Sequence, residues 1–258
     1  MLPGAVLDDV VDVIREASEG LRRRIVEGRV TQEPDMTSRV VQEIEVRSAS
    51  VPGVTIEFTV IDGLGPGAAE NTIGADVLGV VRIEVEGRRQ SKGFLAQSKR
   101  DGQDGLHLDP APPEDEGGAY SHWLWRGDEV RLERSGTIHI TKPSARLAEQ
   151  CENMLRLTPA SFVFVYSPDQ IAVVSATAVK AHRSAPPRTK KFKPLGTKQL
   201  DDFFVHVLDC FIGDESLSAA STEELRQLAL TQRASTAWLL RVRDEQTDDE
   251  DGAGGAAR

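Results

Sequence analysis

Three side chains in this 258-residue sequence are suited to holding a hard cation beside a phosphate: Asp76, Gln97 and Lys99. Asp76 opens an apolar run inside Ile73-Gly-Ala-Asp, and Gln97 and Lys99 stand two residues apart in Phe94-Leu-Ala-Gln-Ser-Lys. If both runs are strands, the period of two puts Gln97 and Lys99 on one face, with Leu95 on that face nearer the start. A hairpin centred on Glu86-Gly87-Arg88 then sets Asp76 opposite Lys99. An acid, an amide and an amine meet at one end of a sheet. Mg²⁺ takes oxygen ligands, and an Asp76 carboxylate oxygen, the Gln97 amide oxygen and the Ser98 carbonyl are candidates. The Lys99 ammonium is placed to orient and polarise a water beside a phosphate.

The elements that must position these groups follow from hydrophobic spacing. Val6, Val10, Val13, Ile14, Ala17, Leu21 and Ile25 recur at helical intervals, which predicts a helix over 5–27 stopped near Gly28. Pro34 suits a first helical position, so a second helix starts there. Residues 54–61 alternate and are rich in β-branched types, which predicts a strand. A glycine-rich turn at 62–67 leads to strands over 75–85 and 93–99. Residues 101–120, with three prolines and four acids from Asp109 on, read as a polar insertion. A helix over 144–157 and two short apolar strands, 161–166 and 171–174, complete a unit over 1–178. Residues 179–198 form a basic linker, 199–243 a helical hairpin (199–212 and 221–242), and 244–258 a disordered acidic tail. Phe203, Phe204, Val207, Leu208 and Phe211 make an apolar stripe fit for core or for dimerisation.

Composition narrows the classes. The formal charge of −10 argues against a histone-like or ribosomal-type protein, and no run of 18 apolar residues spans a membrane. Cys151 and Cys210 are too few for a disulfide framework or a zinc finger, and the opening residues lack a basic signal region, so the expectation is a cytoplasmic protein. None of the five histidines stands in H-x-H or HExxH spacing. The Gly63–Gly67 loop lacks a following Gly-Lys-Ser/Thr and reads as a turn. Trp123 and Trp125 suit packing or base stacking.

Taken together, Glu70-x-x-x-Gly74-Ala75-Asp76 followed by Gln97-x-Lys99 resembles the signature of the PD-(D/E)XK nuclease superfamily, in the Q-x-K variant of Mrr-like restriction and phage-defence endonucleases. Upstream, Glu33-Pro-Asp35-Met-Thr37 resembles the stretch that begins that family's metal-site helix. Downstream, Gln150-Cys-Glu-Asn-Met154 and Phe162-Val-Phe-Val-Tyr166 resemble its closing helix and strand. The resemblance covers residues 31–178. It implies an α/β, restriction-endonuclease-like mixed central sheet flanked by helices, here with a C-terminal helical extension. The implied activity is Mg²⁺- or Mn²⁺-dependent hydrolysis of DNA phosphodiesters, as in a bacterial restriction or antiviral defence effector. Carried over, Asp76 and Gln97 hold the metal, Lys99 supports the attacking water, and Glu33 is an added ligand or water-orienting acid. Glu70 competes with Glu33 for that role, and Gln150 is a further candidate. Gln97 in place of an acid removes one negative charge from the site.

The partner implied is double-stranded DNA, held by Arg100 at the end of the third strand and by Arg188, Lys190, Lys191 and Lys193 in the basic stretch, so affinity falls with salt. Cutting two strands calls for a homodimer, and regulation for a separate sensor protein. Two alternatives stay open: a catalytically inactive nuclease-like module that binds nucleic acid or protein, and an RNA-cleaving relative. A bare Q-x-K also fits the exposed face of an edge strand.

Overall fold

A computed structural model describes residues 4–48, 54–62, 75–108, 122–126, 129–133, 135–140, 143–184, 195–209, 212–232 and 234–244. The chain opens with helices α1 (Gly4–Val26) and α2 (Glu33–Ser48), which run antiparallel and are joined by the Arg24–Glu43 and Arg47–Glu16 ion pairs, both 2.7 Å. Strands β1 (Val54–Asp62), β2 (Val77–Val85), β3 (Arg88–Arg100), β4 (Leu106–Leu108), β5 (His122–Arg126), β6 (Glu129–Glu133) and β7 (Ser135–Ile140) follow. Next come helix α3 (Ala145–Leu157), strands β8 (Ser161–Tyr166) and β9 (Ile171–Ser175), helix α4 (Ala176–Ser184) and strand β10 (Leu195–Gln199). Helices α5 (Leu200–Leu208) and α6 (Thr222–Gln232) and strand β11 (Thr236–Asp244) end the described chain.

Nine strands form one mixed sheet in the order β1-β11-β2-β3-β8-β9-β10-β7-β4, while β5 and β6 pair with each other. The parallel pairs are β11 with β2 and β3 with β8; the remaining pairs of the large sheet are antiparallel. Helix α3 supplies the crossover that a parallel β3–β8 pair requires. Alternation along the strands feeds two cores. Phe94, Ala96, Phe164, Tyr166, Trp238 and Leu240 face α1, α2 and α5, whereas Leu95, Val163, Val165, Ala237 and Leu239 face α3, α4 and α6. A sheet covered on both sides explains why β8 reads as an unbroken apolar run.

The β2–β3 register differs from the symmetric expectation. Val77 pairs with Ala96 and Val85 with Arg88, so the turn is only Glu86-Gly87, with φ of 52° and 71°. Both residues adopt the left-handed conformation of a type I′ hairpin. Asp76 therefore lies beside Gln97, not opposite Lys99. The third strand also begins earlier than expected, because the polar run Arg88–Lys92 continues the ladder.

The C-terminal region departs most from expectation. In place of a second helix over 221–242, the chain forms α6 and then β11, which inserts between β1 and β2. A segment buried on both faces carries no period-2 signal and mimics a helix. The 179–198 stretch contains the end of α4 and the start of β10; its residues 185–194 lie outside the described residues, as do 63–74, 109–121 and the tail from 245. Phe203, Phe204, Val207 and Leu208 are core, buried against Phe94 and its aromatic neighbours, with the Phe94–Phe203 centroids 5.2 Å apart.

Gly93 marks where a segment crosses the sheet. It exchanges main-chain hydrogen bonds with Asp214, and a Cβ on it would lie 2.3 Å from the Leu217 carbonyl oxygen. Asp214 is itself anchored by the Thr158 hydroxyl at 2.6 Å, which with the Ser216 contacts holds its carboxyl below the usual range. Gly93→Ala is expected to cost about 3 kcal/mol, because the clash is with backbone that cannot rotate away. Urea denaturation checks this, and wild-type stability would show that the 213–217 segment is not held over β3.

Candidate functional site

The site forms where β3 outruns β2. Gln97 to Arg100 extend past the first residue of β2 while their other edge pairs with Val163 to Tyr166 of β8. Beyond Val77 the ladder has no further partner from β2, and the Asp76 carboxylate takes its place. Asp76 Oδ2 accepts from the Ser98 amide at 2.8 Å and, in a short contact, from Gln97 Nε2. The Asp76 backbone is clamped on both sides: its amide donates to the Ala96 carbonyl at 2.9 Å, and its carbonyl accepts from the Thr236 amide at 2.9 Å and the Ser235 hydroxyl at 2.7 Å. The start of β11 thus fixes the position of Asp76, a contribution that a helical reading of this segment could not supply.

Gln97 and Lys99 lie on the α3 side of the sheet with Leu95, as their spacing predicts. Gln97 is 2 % exposed, and its Oε1 accepts no hydrogen bond among the described residues. Its Nε2 also approaches the Ser98 carbonyl at 3.4 Å. The Lys99 ammonium, buried at the same end, lies 3.4 Å from Asp104 Oδ2. Ser98 points the other way, where its hydroxyl bonds Thr37 Oγ1 at 2.8 Å, and Thr37 Oγ1 in turn meets the Tyr166 hydroxyl at 3.1 Å. This buried hydroxyl cluster ties α2, β3 and β8 together behind the site.

Glu33 is the first residue of α2, the helix that Thr37 anchors to Ser98. Glu70 lies outside the described residues, as do Arg188, Lys190, Lys191 and Lys193. Arg100 is exposed at the end of β3, and its Nη1 donates to the Thr31 carbonyl at 3.0 Å, just before α2. Gln150 on α3 is 5 % exposed, and neither its Nε2 nor its Oε1 finds a partner among the described residues. Burial pushes the neighbouring Cys151 thiol up to about 12 against the lowering influence of Lys99, so it is a thiol and not a nucleophilic thiolate at neutral pH.

The oxygens at this end of the sheet are of the kind a hard cation takes. The Asp76 carboxylate meets the Gln97 amide through Nε2, which leaves Gln97 Oε1 a buried acceptor without a donor among the described residues, costly unless something positive meets it. Among the described residues no three His, Cys, Asp or Glu side chains group at metal-binding spacing. Asp104 is the residue that sequence reasoning missed. It lies in the Asp101–Gly105 turn, which read as the start of the polar insertion, and its partner Ser144 is 40 positions away. Comparisons with protein-family models, with curated proteins and with solved structures gave no match to this chain. Among the described residues no helix is long and apolar enough to cross a membrane.

Proposed function

We propose that this chain is a divalent-metal-dependent nuclease of restriction-endonuclease-like architecture, hydrolysing phosphodiesters of double-stranded DNA. The observation that carries the reading is the contact of the Asp76 carboxylate with Gln97 Nε2 and the Ser98 amide at one end of the β2–β3 hairpin, with Lys99 two residues further along β3 and Gln97 Oε1 left without a donor among the described residues. The β2–β3 hairpin followed, after β4 to β7, by α3 and by β8 parallel to β3 supports the architecture that the sequence motifs imply. Asp76 and Gln97 Oε1 would hold Mg²⁺ or Mn²⁺, with the Ser98 carbonyl, Gln150 and either Glu33 or Glu70 as further candidates. When bound, the ion supplies Lewis-acid stabilisation of phosphate charge and a more acidic water.

The chain's own groups do the rest. The Ser98 amide orients the Asp76 carboxylate, so a fixed negative charge faces the site without reorganisation. Lys99 holds a positive charge at the same end, where it orients water and offsets charge that develops on a phosphate. Arg100, exposed on the rim and tethered through Nη1 to the Thr31 carbonyl, is the described cation that would meet a DNA backbone. The resemblance would make the protein a restriction or phage-defence effector acting under a separate sensor protein.

A second reading has its own support. Gln97 Nε2 already donates to Asp76, which partly neutralises the carboxylate without any ion, as a non-catalytic binding module would require. A plasmid-nicking assay at low salt with Mg²⁺ or Mn²⁺, beside Lys99→Ala, separates the two. Metal-dependent nicking that falls at least about 100-fold in the variant supports the nuclease. Undiminished nicking in a well-folded Lys99→Ala overturns the assignment of this site, and intact plasmid together with no calorimetric metal binding overturns the nuclease in favour of the module.

A further inference from the structure

We infer that Asp104 is a positioning residue that fixes the Lys99 ammonium from the N-terminus of α3. The inference rests on the nuclease reading for what Lys99 does, and on geometry for how it is held. Asp104 uses both carboxylate oxygens. Oδ2 lies 3.4 Å from Lys99 Nζ, and Oδ1 accepts from the Ser144 hydroxyl at 2.5 Å. Ser144 is the N-cap of α3: its Oγ accepts from the Leu147 amide at 3.0 Å, which directs its own proton toward Asp104. The Ser144 amide also donates to the Asp104 carbonyl at 3.0 Å, and the Ser144 carbonyl accepts from Arg183 Nη1 of α4 at 3.0 Å.

The turn itself is built for this contact. Gly102, Asp104 and Gly105 have φ of 83°, 52° and 79°, and Asp104 is the one residue of the three with a side chain. Asp and Asn tolerate that left-handed conformation better than other such residues. A lysine carries its charge on a flexible four-carbon stem, so an unpinned ammonium samples many positions. The chain from the α3 cap through Asp104 to Lys99 selects one of them, and a displacement of about 1 Å at a catalytic group costs about 100-fold in rate.

Asp104→Asn is the sharpest variant, because Asn keeps the backbone conformation and an acceptor for Ser144 while removing the charge. Two readouts are combined: kcat and KM for plasmid cleavage, and the ¹⁵N-ammonium signal of Lys99, assigned by its loss in Lys99→Arg. The expected result is a kcat lowered about 10- to 100-fold, KM within about twofold, and an ammonium signal lost to exchange. Wild-type kcat, or a retained Lys99 signal, overturns the role of Asp104 alone. A wild-type chain that neither cleaves nor binds Mg²⁺ overturns the nuclease reading and this role with it. Where the wild type binds Mg²⁺ without cleaving, the ammonium signal alone decides.

Discussion

Asp76→Ala is expected to abolish metal-dependent cleavage, by about 1,000-fold or more, and to remove the heat of Mg²⁺ binding seen by calorimetry. The fold should survive. The Asp76 backbone keeps its bonds to Ala96, Ser235 and Thr236, all of which are independent of its side chain. The Ser98 amide and Gln97 Nε2 lose their shared acceptor, a penalty of about 1–3 kcal/mol and a fall of several degrees in Tm. Asp76→Asn separates charge from packing, since its amide oxygen can still accept from Ser98. It should melt near the wild type and be as inactive as the alanine variant. Cleavage at more than about a tenth of the wild-type rate by a folded Asp76→Asn would rule out Asp76 as the principal ligand.

The parts of the fold carried by periodicity were readable in the sequence. The apolar spacing of α1, the alternation of β1 and the short apolar runs of β8 and β9 all match the observed elements. So does the face shared by Gln97 and Lys99, because strand alternation is independent of what a strand pairs with. Register was not readable, since it depends on the turn. Glu86 at φ 52° is a side-chain-bearing residue in a conformation usually given to Asn, Asp or Gly, and Glu-Gly does not announce a two-residue hairpin. The Asp104–Ser144 contact joins a turn to a helix cap across residues of which many are polar and proline-rich, so no local pattern connects them. The two-sided burial of β11 erased the alternation that would have named it a strand.

That last difference makes a prediction about the whole molecule. If the region after residue 198 were an appended hairpin, its removal would leave a folded nuclease unit. In the structure, β11 pairs with β1 from Val54↔Asp244 to Asp62↔Thr236 and with β2 from Val77↔Thr236 to Glu84↔Arg243. A chain ended at residue 233 loses the only strand linking β1 to the rest of the described sheet and exposes the paired edge of β2. It also removes Trp238, Leu240 and Val242 from one core and Ala237 and Leu239 from the other. At about 1.5–3 kcal/mol for each large apolar side chain, that loss is on the order of 10 kcal/mol, comparable with the entire stability of a typical domain. The truncated chain is expected to be unfolded or aggregated, without a cooperative thermal transition by circular dichroism. A chain ended after Asp244 keeps every described strand pair and is the control. A soluble 1–233 chain with a sharp melt would mean that β11 covers a sheet already stable on its own, and Asp76 would then have to be fixed by the β2–β3 hairpin without the Ser235 and Thr236 clamp.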